Sequence, residues 1–169
     1  LEDMLPLQAL ALSPDGTRLL VGTRAGLIYQ VNSATGEIIG EFVGHNESVE
    51  SLVFLSDGQR ALSTSLDERI ILWDLTSGTA IRDYVGHERS VFGLALLPDE
   101  SGFVSSGADE RIILWDLETG AILREFLGHE GTVYAIDVYD NLMASGARDE
   151  KVILWDLETG EQLTTLVGD

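Results

Sequence analysis

The chain has 169 residues, of which 29 are acidic and 10 basic, so its formal net charge at pH 7 is −19. It contains no cysteine, which excludes a disulfide scaffold, a thiolate metal site and a cysteine nucleophile. The negative charge and the single lysine, Lys151, predict that it binds neither nucleic acid nor an anionic membrane, because both require clustered basic residues. No apolar run reaches the ~18 residues of a spanning helix and no export signal is seen, so a soluble, cytoplasmic protein is expected.

A repeat runs through the whole chain. Gly-His occurs with its histidine at positions 45, 87 and 129, a spacing of 42 residues, and Trp-Asp occurs with its tryptophan at 73, 115 and 155. Thr35-Gly36 aligns with Ser77-Gly78 under the same shift, which adds a degenerate first repeat. The sequence therefore predicts a single domain made of four units and little else, with boundaries at about 1–43, 44–85, 86–127 and 128–169.

Each unit is expected to form four short strands. In the second unit, runs rich in apolar and β-branched residues are separated by turn signals such as Asp57-Gly58, which predicts strands at 48–55, 60–65, 69–75 and 79–85. Helices are disfavoured because the apolar runs are short and turn residues come about every ten positions. The third strand, at 70–73, 112–115 and 152–155, is continuously apolar, so neighbouring sheets should cover both of its faces.

The fourth unit is two residues shorter than the third, and the loss lies in one turn. Where the third unit has Pro98-Asp99-Glu100-Ser101-Gly102, the fourth has Tyr139-Asp140-Asn141. Turns tolerate deletions better than the strands they connect. The four strands of the last unit are therefore expected to be retained.

Gly-His, Ser, Asp and Trp-Asp in this order and at this period resemble the WD-repeat β-propeller family over essentially the whole chain. The resemblance implies an all-β fold, a β-propeller built from four-stranded antiparallel blades with four blades per chain. It also implies that four residues of a unit form one hydrogen-bonded set, here called a tetrad. By position the tetrads are His45, Ser63, Asp67 and Trp73; His87, Ser105, Asp109 and Trp115; and His129, Ser145, Asp149 and Trp155.

The first unit departs from this pattern, because Asp3, Val21, Ala25 and Val31 occupy the tetrad positions. Its blade is expected to lack the network and to be looser or held by apolar contacts. In the other units, a Trp N–H and a Ser hydroxyl buried between sheets would cost a few kcal/mol if left unpaired, and a His can bridge the hydroxyl to a carboxylate. The tetrads are therefore predicted to stabilise the fold.

Ser, His and Asp in one unit also match the composition of a hydrolase triad. A catalytic Ser needs an exposed turn and an oxyanion hole, and the chain has no G-x-S-x-G motif. Each of the last three units has one His and no spaced His pair for a metal, and phosphate-binding glycine motifs are absent. The sequence predicts no enzyme activity, no metal and no cofactor.

The resemblance further implies that a peptide or protein would bind the narrow face around the central channel. The contact positions are the start of each first strand and the residue before each turn Asp, namely Gln8, Glu50, Phe92, Tyr134, Arg24, Leu66, Ala108 and Arg148. Aromatic residues and Arg are enriched at binding hot spots, although Phe92 and Tyr134 could equally pack between first strands as core. The fourth unit is the most acidic, with a net charge of −7, and should favour a basic partner if any unit does.

Four units pose a problem of closure. Rings in this family usually have about seven or eight blades, so four would sweep about half a circle and leave two bare apolar faces. The expected solution is a C2 homodimer in which unit four of each chain packs on unit one of the other, giving an eight-bladed ring. The alternatives are a compact four-bladed monomer and a fragment of a longer chain; a first residue that is Leu and not Met suggests an excised segment.

The sequence thus predicts a non-catalytic scaffold or protein-interaction module whose four blades self-associate to close a ring. The segment DERIILWDL occurs twice, which favours an alternative, a purely structural, recently amplified or engineered half-propeller without a ligand. A second alternative is a fragment of a longer propeller that binds a peptide or protein on its narrow face.

Overall fold

The computed structural model describes residues 6–168, which form four antiparallel sheets of four strands each. The strands of the first two sheets are β1 (Leu7–Leu12), β2 (Arg18–Thr23), β3 (Leu27–Asn32), β4 (Ile38–Val43), β5 (Val49–Phe54), β6 (Arg60–Ser65), β7 (Ile70–Asp74) and β8 (Thr79–Tyr84). Those of the third and fourth are β9 (Val91–Leu96), β10 (Gly102–Gly107), β11 (Ile112–Asp116), β12 (Ile122–Phe126), β13 (Val133–Tyr139), β14 (Leu142–Ala147), β15 (Lys151–Asp156) and β16 (Gln162–Val167). The all-β prediction is confirmed. Over the same residues, no helix is both long and apolar enough to cross a membrane.

Each sheet is a simple meander in which consecutive strands are hydrogen-bonded neighbours. The turn between the second and third strands needs a residue with positive φ. Gly26 (φ 83°) fills this position in the first sheet, and Glu68, Glu110 and Glu150 (φ 70°, 68° and 62°) fill it in the others. Only glycine fits in the first sheet, because a Cβ on Gly26 would lie 2.6 Å from the carbonyl oxygen of His45.

The chain divides into two compact units, the first ending at Val85 and the second beginning at Gly86. Each compact unit holds two of the four sequence repeats, and from here on "first unit" and "second unit" mean these two compact units. In the first unit, a core lies between the first and second sheets, and its buried side chains include Leu20, Ile28, Phe42, Phe54 and Trp73. The rings of Phe42 and Trp73 meet edge to face with centroids 5.8 Å apart. Such aromatic pairs add to the gain from burying their area.

The second unit has the corresponding core between the third and fourth sheets. Its members include Val104, Ile112, Phe126, Met143 and Trp155. Phe126 and Trp155 repeat the edge-to-face contact of the first unit at 5.7 Å. The same pattern of apolar residues therefore builds the same pairing of sheets twice.

The expectation that both faces of every third strand are covered holds for β7 and β11, where Ile70 to Trp73 and Ile112 to Trp115 are buried. It does not hold within residues 6–168 for β15, where Val152 is exposed and Leu154 only half-buried. The opposite face of β15 packs on the third sheet through Ile153 and Trp155. The fourth sheet therefore has an apolar face that no other part of residues 6–168 covers fully.

Candidate functional site

The structure brings the members of each tetrad together at one edge of the second, third and fourth sheets. In the second sheet, Ser63 Oγ lies 2.7 Å from His45 Nε2 and accepts a hydrogen bond from Trp73 Nε1 at 2.8 Å, while His45 Nδ1 lies 3.0 Å from Asp67. The third sheet repeats these three distances as 2.8, 2.8 and 2.9 Å, and the fourth as 2.7, 2.8 and 3.0 Å. The three sites are thus near copies of one another.

The donors and acceptors of a tetrad fit one protonation pattern. An indole N–H can only donate, so the Ser oxygen accepts from Trp73 and its own hydrogen is available to His45 Nε2. His45 Nδ1–H then donates to the Asp67 carboxylate, which also accepts from the backbone N–H of Asn46 at 2.9 Å. Every buried polar group of the set has a partner, so the buried polar groups carry no desolvation penalty from an unmade bond.

The electrostatics agree with a neutral histidine beside an ionised carboxylate. Burial lowers the pKa of His45, although the nearby Asp67 charge acts to raise it. Burial acts to raise the pKa of the Asp67 carboxyl, but the backbone N–H of Asn46 and the His45 side chain outweigh it, and the pKa lies below its usual value. The pKa values of Asp109 and Asp149 are lowered in the same way, against the effect of burial, by the histidine and by backbone N–H groups.

The glycine of each Gly-His pair is required by the tetrad tryptophan. A Cβ on Gly44 would lie 2.6 Å from Trp73 Cη2, and one on Gly86 would lie 2.7 Å from Trp115 Cη2. The edge of the indole therefore packs directly on the glycine backbone, and any side chain there would displace it.

Two arginines that the sequence did not single out brace these loops. The guanidinium of Arg69 donates to the carbonyl oxygen of Gly44 and pairs with Asp83 at 2.8 Å. Arg111 donates to the carbonyl of Gly86 at 2.9 Å and pairs with Glu125. The one signal available in the sequence was the repeated segment DER, because the targets are main-chain oxygens 25 residues away.

The first sheet has no counterpart of this network among its described residues. Val21 and Val31 occupy the positions of the Ser and Trp, and both are buried in a small cluster with Leu19 and Tyr29. Ala25 is exposed, and Asp3 lies outside the described residues. The position of the tetrad in this sheet is therefore held by apolar side chains.

The tetrad serines are poor candidates for a nucleophile. Ser63 and Ser105 have no exposed surface, and their oxygens already accept the tryptophan N–H. A substrate carbonyl must come within bonding distance of a catalytic Ser oxygen, which this packing prevents. Residues 6–168 also contain no cluster of three or more His, Asp and Glu side chains that could hold a metal ion.

The eight candidate partner-binding residues lie in pairs, because the backbone N–H of the residue before the turn Asp bonds to a carbonyl at the start of the first strand. These bonds run from Arg24, Leu66, Ala108 and Arg148 to Pro6, Ser48, Ser90 and Thr132, at 2.8 to 3.1 Å. Each sheet therefore presents two candidate positions side by side at one end of its first strand.

The two units present different chemistry at these positions. In the first unit, Arg24 donates to Gln8 and Gln8 to Glu50, each at 3.2 Å, which forms an exposed polar chain. In the second unit, Phe92 and Tyr134 meet edge to face with centroids 5.2 Å apart, and Tyr134 is half exposed. The second unit thus carries an aromatic surface where the first carries a polar one.

Comparison with known proteins shows which family the repeats of this chain match. The family model described as WD domain, G-beta repeat matches residues 36–74, 78–116 and 120–156. Each matched segment begins just before the fourth strand of one sheet and ends with the third strand of the next. The repeat of the sequence is therefore offset by one strand from the sheets of the fold.

Curated relatives match shorter stretches. The chain is 40% identical over 70 residues to Protein ROOT INITIATION DEFECTIVE 3 of Arabidopsis thaliana, covering 41% of this chain and 16% of that protein. It is 39% identical over 66 residues to the Intraflagellar transport protein 122 homolog of Danio rerio, covering 38% of this chain and 5% of that protein. It is 40% identical over 67 residues to Telomerase protein component 1 of Mus musculus, covering 40% of this chain and 2% of that protein. The alignments thus cover at most 16% of these three relatives.

Proposed function

The chain belongs to the WD domain, G-beta repeat family, and from that premise we propose that it is a non-catalytic protein-interaction scaffold whose four blades combine with those of a second copy to close one eight-bladed ring. Repeats of this family generally act as rigid platforms for other proteins. The observation that carries the self-association is a pair of uncovered apolar sheet faces, one in each unit.

The first of these is the open face of the fourth sheet, defined by Ala144, Val152, Leu154 and Leu166. Register places Ala144 opposite Leu154 and Val152 opposite Leu166, so the four side chains share one face. Val152 is exposed and Leu166 is 56% exposed. The equivalent residues of the third sheet are all buried under the fourth sheet, and they are Val104, Ile112, Leu114 and Phe126.

The second is the open face of the first sheet, defined by Leu10, Leu12, Val21 and Val31. Leu10 pairs with Val21 across β1 and β2, and Leu12 pairs with Leu19 beside Val31. Leu10 and Leu12 are 62% and 64% exposed. In the second sheet, the equivalents of these two residues, Leu52 and Phe54, are buried against the first sheet.

The two open faces fit the packing already present inside each unit. The open face of the fourth sheet is equivalent to the face of the third sheet that packs on the fourth. The open face of the first sheet is equivalent to the face of the second sheet that packs on the first. Two copies related by a twofold axis would cover both open faces of both chains at once, because each interface joins a fourth sheet to a first sheet. A single interface type therefore removes all the uncovered apolar faces.

Electrostatic repulsion opposes this assembly, because each chain carries a net charge of −19. Screening by salt weakens repulsion between charges on separate chains. Association should therefore strengthen as the salt concentration rises.

The test is solution mass by light scattering on a sizing column, over a wide range of protein concentration and at low and high salt. We expect a species of twice 18.4 kDa, with its population rising with salt. Leu166→Glu should abolish it, whereas Ile81→Glu, which places the same charge at an apolar side chain of similar exposure (49%) on the second sheet, should leave it intact. A monodisperse 18.4 kDa species at every concentration would overturn the closed homodimer.

Partner binding is assigned to the aromatic surface of the second unit, with Phe92 and Tyr134 as anchors beside Arg148. The exposed ring of Tyr134 and the exposed Arg148 are the residue types that dominate binding energy at interfaces. On a peptide array, Phe92→Ala and Arg148→Ala should each lose hits that Gln8→Ala retains. A pattern of hits unchanged by Phe92→Ala and Arg148→Ala would place the contact elsewhere.

A further inference from the structure

The connection between the first and second strands differs among the four sheets at one equivalent position. This position is held by Ser13, Leu55 and Leu97 directly after the first strand in the first three sheets, and by Tyr139, the last residue of β13, in the fourth. Ser13 and Leu55 are buried and Leu97 is partly buried, but Tyr139 is 82% exposed. In the fourth sheet, which has the two-residue deletion, the side chain at this position is therefore exposed instead of buried.

An open groove lies beside this shortened turn, within the second unit. Its volume is about 390 Å³, and its apolar wall is formed by Leu97, Pro98 and Leu114 of the third sheet and by Leu157 after the fourth sheet's third strand. A second depression of about 450 Å³ adjoins it, sharing Pro98 and Asp140 and adding Tyr139. Together they form one groove with an apolar floor, which continues from Leu97 and Leu157 past Pro98 to Tyr139.

The first unit shows how the same place is filled when the turn is longer. There Arg18 Nη2 donates to the carbonyl of Gly58 at 2.6 Å, which fixes the second sheet's turn near Pro14, and Leu55 is fully buried. In the third sheet the position of Arg18 is taken by Gly102, which has no side chain to reach across. The deletion and this glycine together open the groove in the second unit.

The rim of the groove is acidic. Asp99, Asp140 and Glu158 line it, and all three are exposed at the surface. Asp99 accepts hydrogen bonds from the backbone and hydroxyl of Ser101, which leaves its carboxylate in place at the rim. The guanidinium of Arg124 donates to the main-chain carbonyls of Thr159 and Glu158 at 2.8 and 3.0 Å.

We propose that this groove is a docking site for a short extended peptide in which aliphatic side chains alternate with Lys or Arg. The aliphatic side chains would cover Leu97, Leu114 and Leu157, and the basic ones would face the carboxylates of Asp140 and Glu158. An apolar floor gives affinity by burial, and the carboxylates at the rim favour a basic partner.

This site is separate from the aromatic surface of the same unit. Phe92 and Tyr134 lie at the start of β9 and β13, whereas the groove lies beyond the other end of these strands. The five residue-to-residue steps from Tyr134 to Tyr139 span roughly 17 Å of strand. The two sites could therefore bind different segments, and each can be tested while the other is intact.

The experiment is a fluorescence-anisotropy titration of the full chain with a labelled octapeptide, Gly-Ser-Leu-Arg-Leu-Lys-Ser-Gly. Two control peptides replace Arg and Lys by Glu, or both Leu by Ser. We expect saturable binding of the first peptide only. Saturation by the Ser-substituted peptide with equal affinity would overturn the apolar floor, and the absence of saturable binding of the first peptide would overturn the site.

Matched variants locate the contact. Asp140→Asn with Glu158→Gln should weaken binding about fivefold, whereas Glu150→Gln with Glu161→Gln should change it less than twofold. Both pairs remove two exposed charges from the fourth sheet and its turns, and each pair includes one residue with positive φ, Asp140 or Glu150. Equal weakening by both pairs would mean that the peptide binds the acidic surface as a whole and would overturn the site.

A final variant refills the groove. It replaces Tyr139-Asp140-Asn141 by the chain's own longer turn, the residues found at 55–59, and its fold is checked by its thermal midpoint. This variant should lose peptide binding, and undiminished binding would overturn the groove as the site. Phe92→Ala should bind the peptide as the unchanged protein does, and a loss there would transfer the contact to the aromatic surface.

Discussion

The first sheet differs from the other three in the side chains that fill the positions of the tetrad Ser and Trp. In the second, third and fourth sheets, a Ser and a Trp occupy these positions and are buried with a His and an Asp as partners. In the first sheet, Val21 and Val31 stand there and need no partner. Both solutions leave the buried position without an unmade hydrogen bond.

This difference in side chains corresponds to whether another sheet covers that side of the sheet. The tetrad side of the second sheet packs on the first sheet, and that of the fourth sheet packs on the third. The equivalent side of the first sheet carries the exposed Leu10 and Leu12. A buried polar network depends on a neighbouring surface that excludes water from it, so the valines suit a face that no other sheet of the same unit covers.

Removing a tetrad residue should break this comparison with the largest effect. Trp115→Ala or His87→Ala should lower the free energy of unfolding by about 2–4 kcal/mol, because each removes one of the two tetrad partners of the buried Ser105 and the Trp change adds a cavity. Val31→Ala, at the equivalent of the tryptophan in the first sheet, should cost less because it strands no polar group. Urea denaturation of the three variants measures the difference, and thermal midpoints unchanged by either tetrad substitution would rule out a stabilising role.

Acidification should weaken the three tetrads, which have no counterpart among the described residues of the first sheet. The pKa of His45 is lowered by burial, so its unfolded form takes up a proton below about pH 6.5 before its folded form does, and stability falls with pH from there. The pKa values of Asp67, Asp109 and Asp149 are also lowered in the folded state. Their contribution is complete above about pH 4 and is lost as the pH falls through the folded values.

The measurement is the urea midpoint from pH 8 to pH 3 for the unchanged chain and for His45→Gln. Because surface carboxylates also lose their mutual repulsion in acid, the informative quantity is the difference between the two proteins. That difference should shrink between pH 6.5 and pH 4, where only the unchanged chain has His45 to protonate. A difference that stays constant over this range would contradict a buried neutral histidine.

The sequence predicted the strands well because each of the four sequence repeats has the same alternation of apolar runs and turns. Strands predicted at 48–55 and 69–75 are found as Val49–Phe54 and Ile70–Asp74, and end residues differ because a terminal residue can lie in the turn without losing the pairing. The continuous apolar pattern of β15 predicted a buried Val152, which is exposed within residues 6–168. Residue pattern alone does not reveal whether another sheet of the same chain covers a strand.

The candidate sites depended on features that sequence reasoning could see only in part. The deletion at Tyr139 was visible, but its effect arises from Gly102 and Leu114, which belong to a different sheet from the deletion. The braces from Arg69 and Arg111 end on main-chain oxygens, which carry no residue-type signal. For Phe92 and Tyr134 the sequence left core and contact open, and the structure shows the rings touching each other with Tyr134 half exposed.

The smallest expected effect concerns a polar residue in the first sheet that has no network around it. Gln30 is buried, and its Nε2 has no hydrogen-bond partner among residues 6–168. The equivalent positions of the other sheets are Leu72, Leu114 and Leu154. An unpaired buried amide retains the cost of losing water, so Gln30→Leu should stabilise the chain by about 1 kcal/mol.

The mirror substitution sharpens the comparison. Leu72→Gln places the same amide at the matching buried position of the second sheet and should destabilise the chain by about 1–3 kcal/mol. Urea denaturation of both variants should therefore move the midpoint in opposite directions. Loss of stability in both variants would contradict an unpaired Gln30. It would mean that the Gln30 amide makes a stabilising contact, so that the first sheet accommodates a buried polar group as the other sheets accommodate their tetrads.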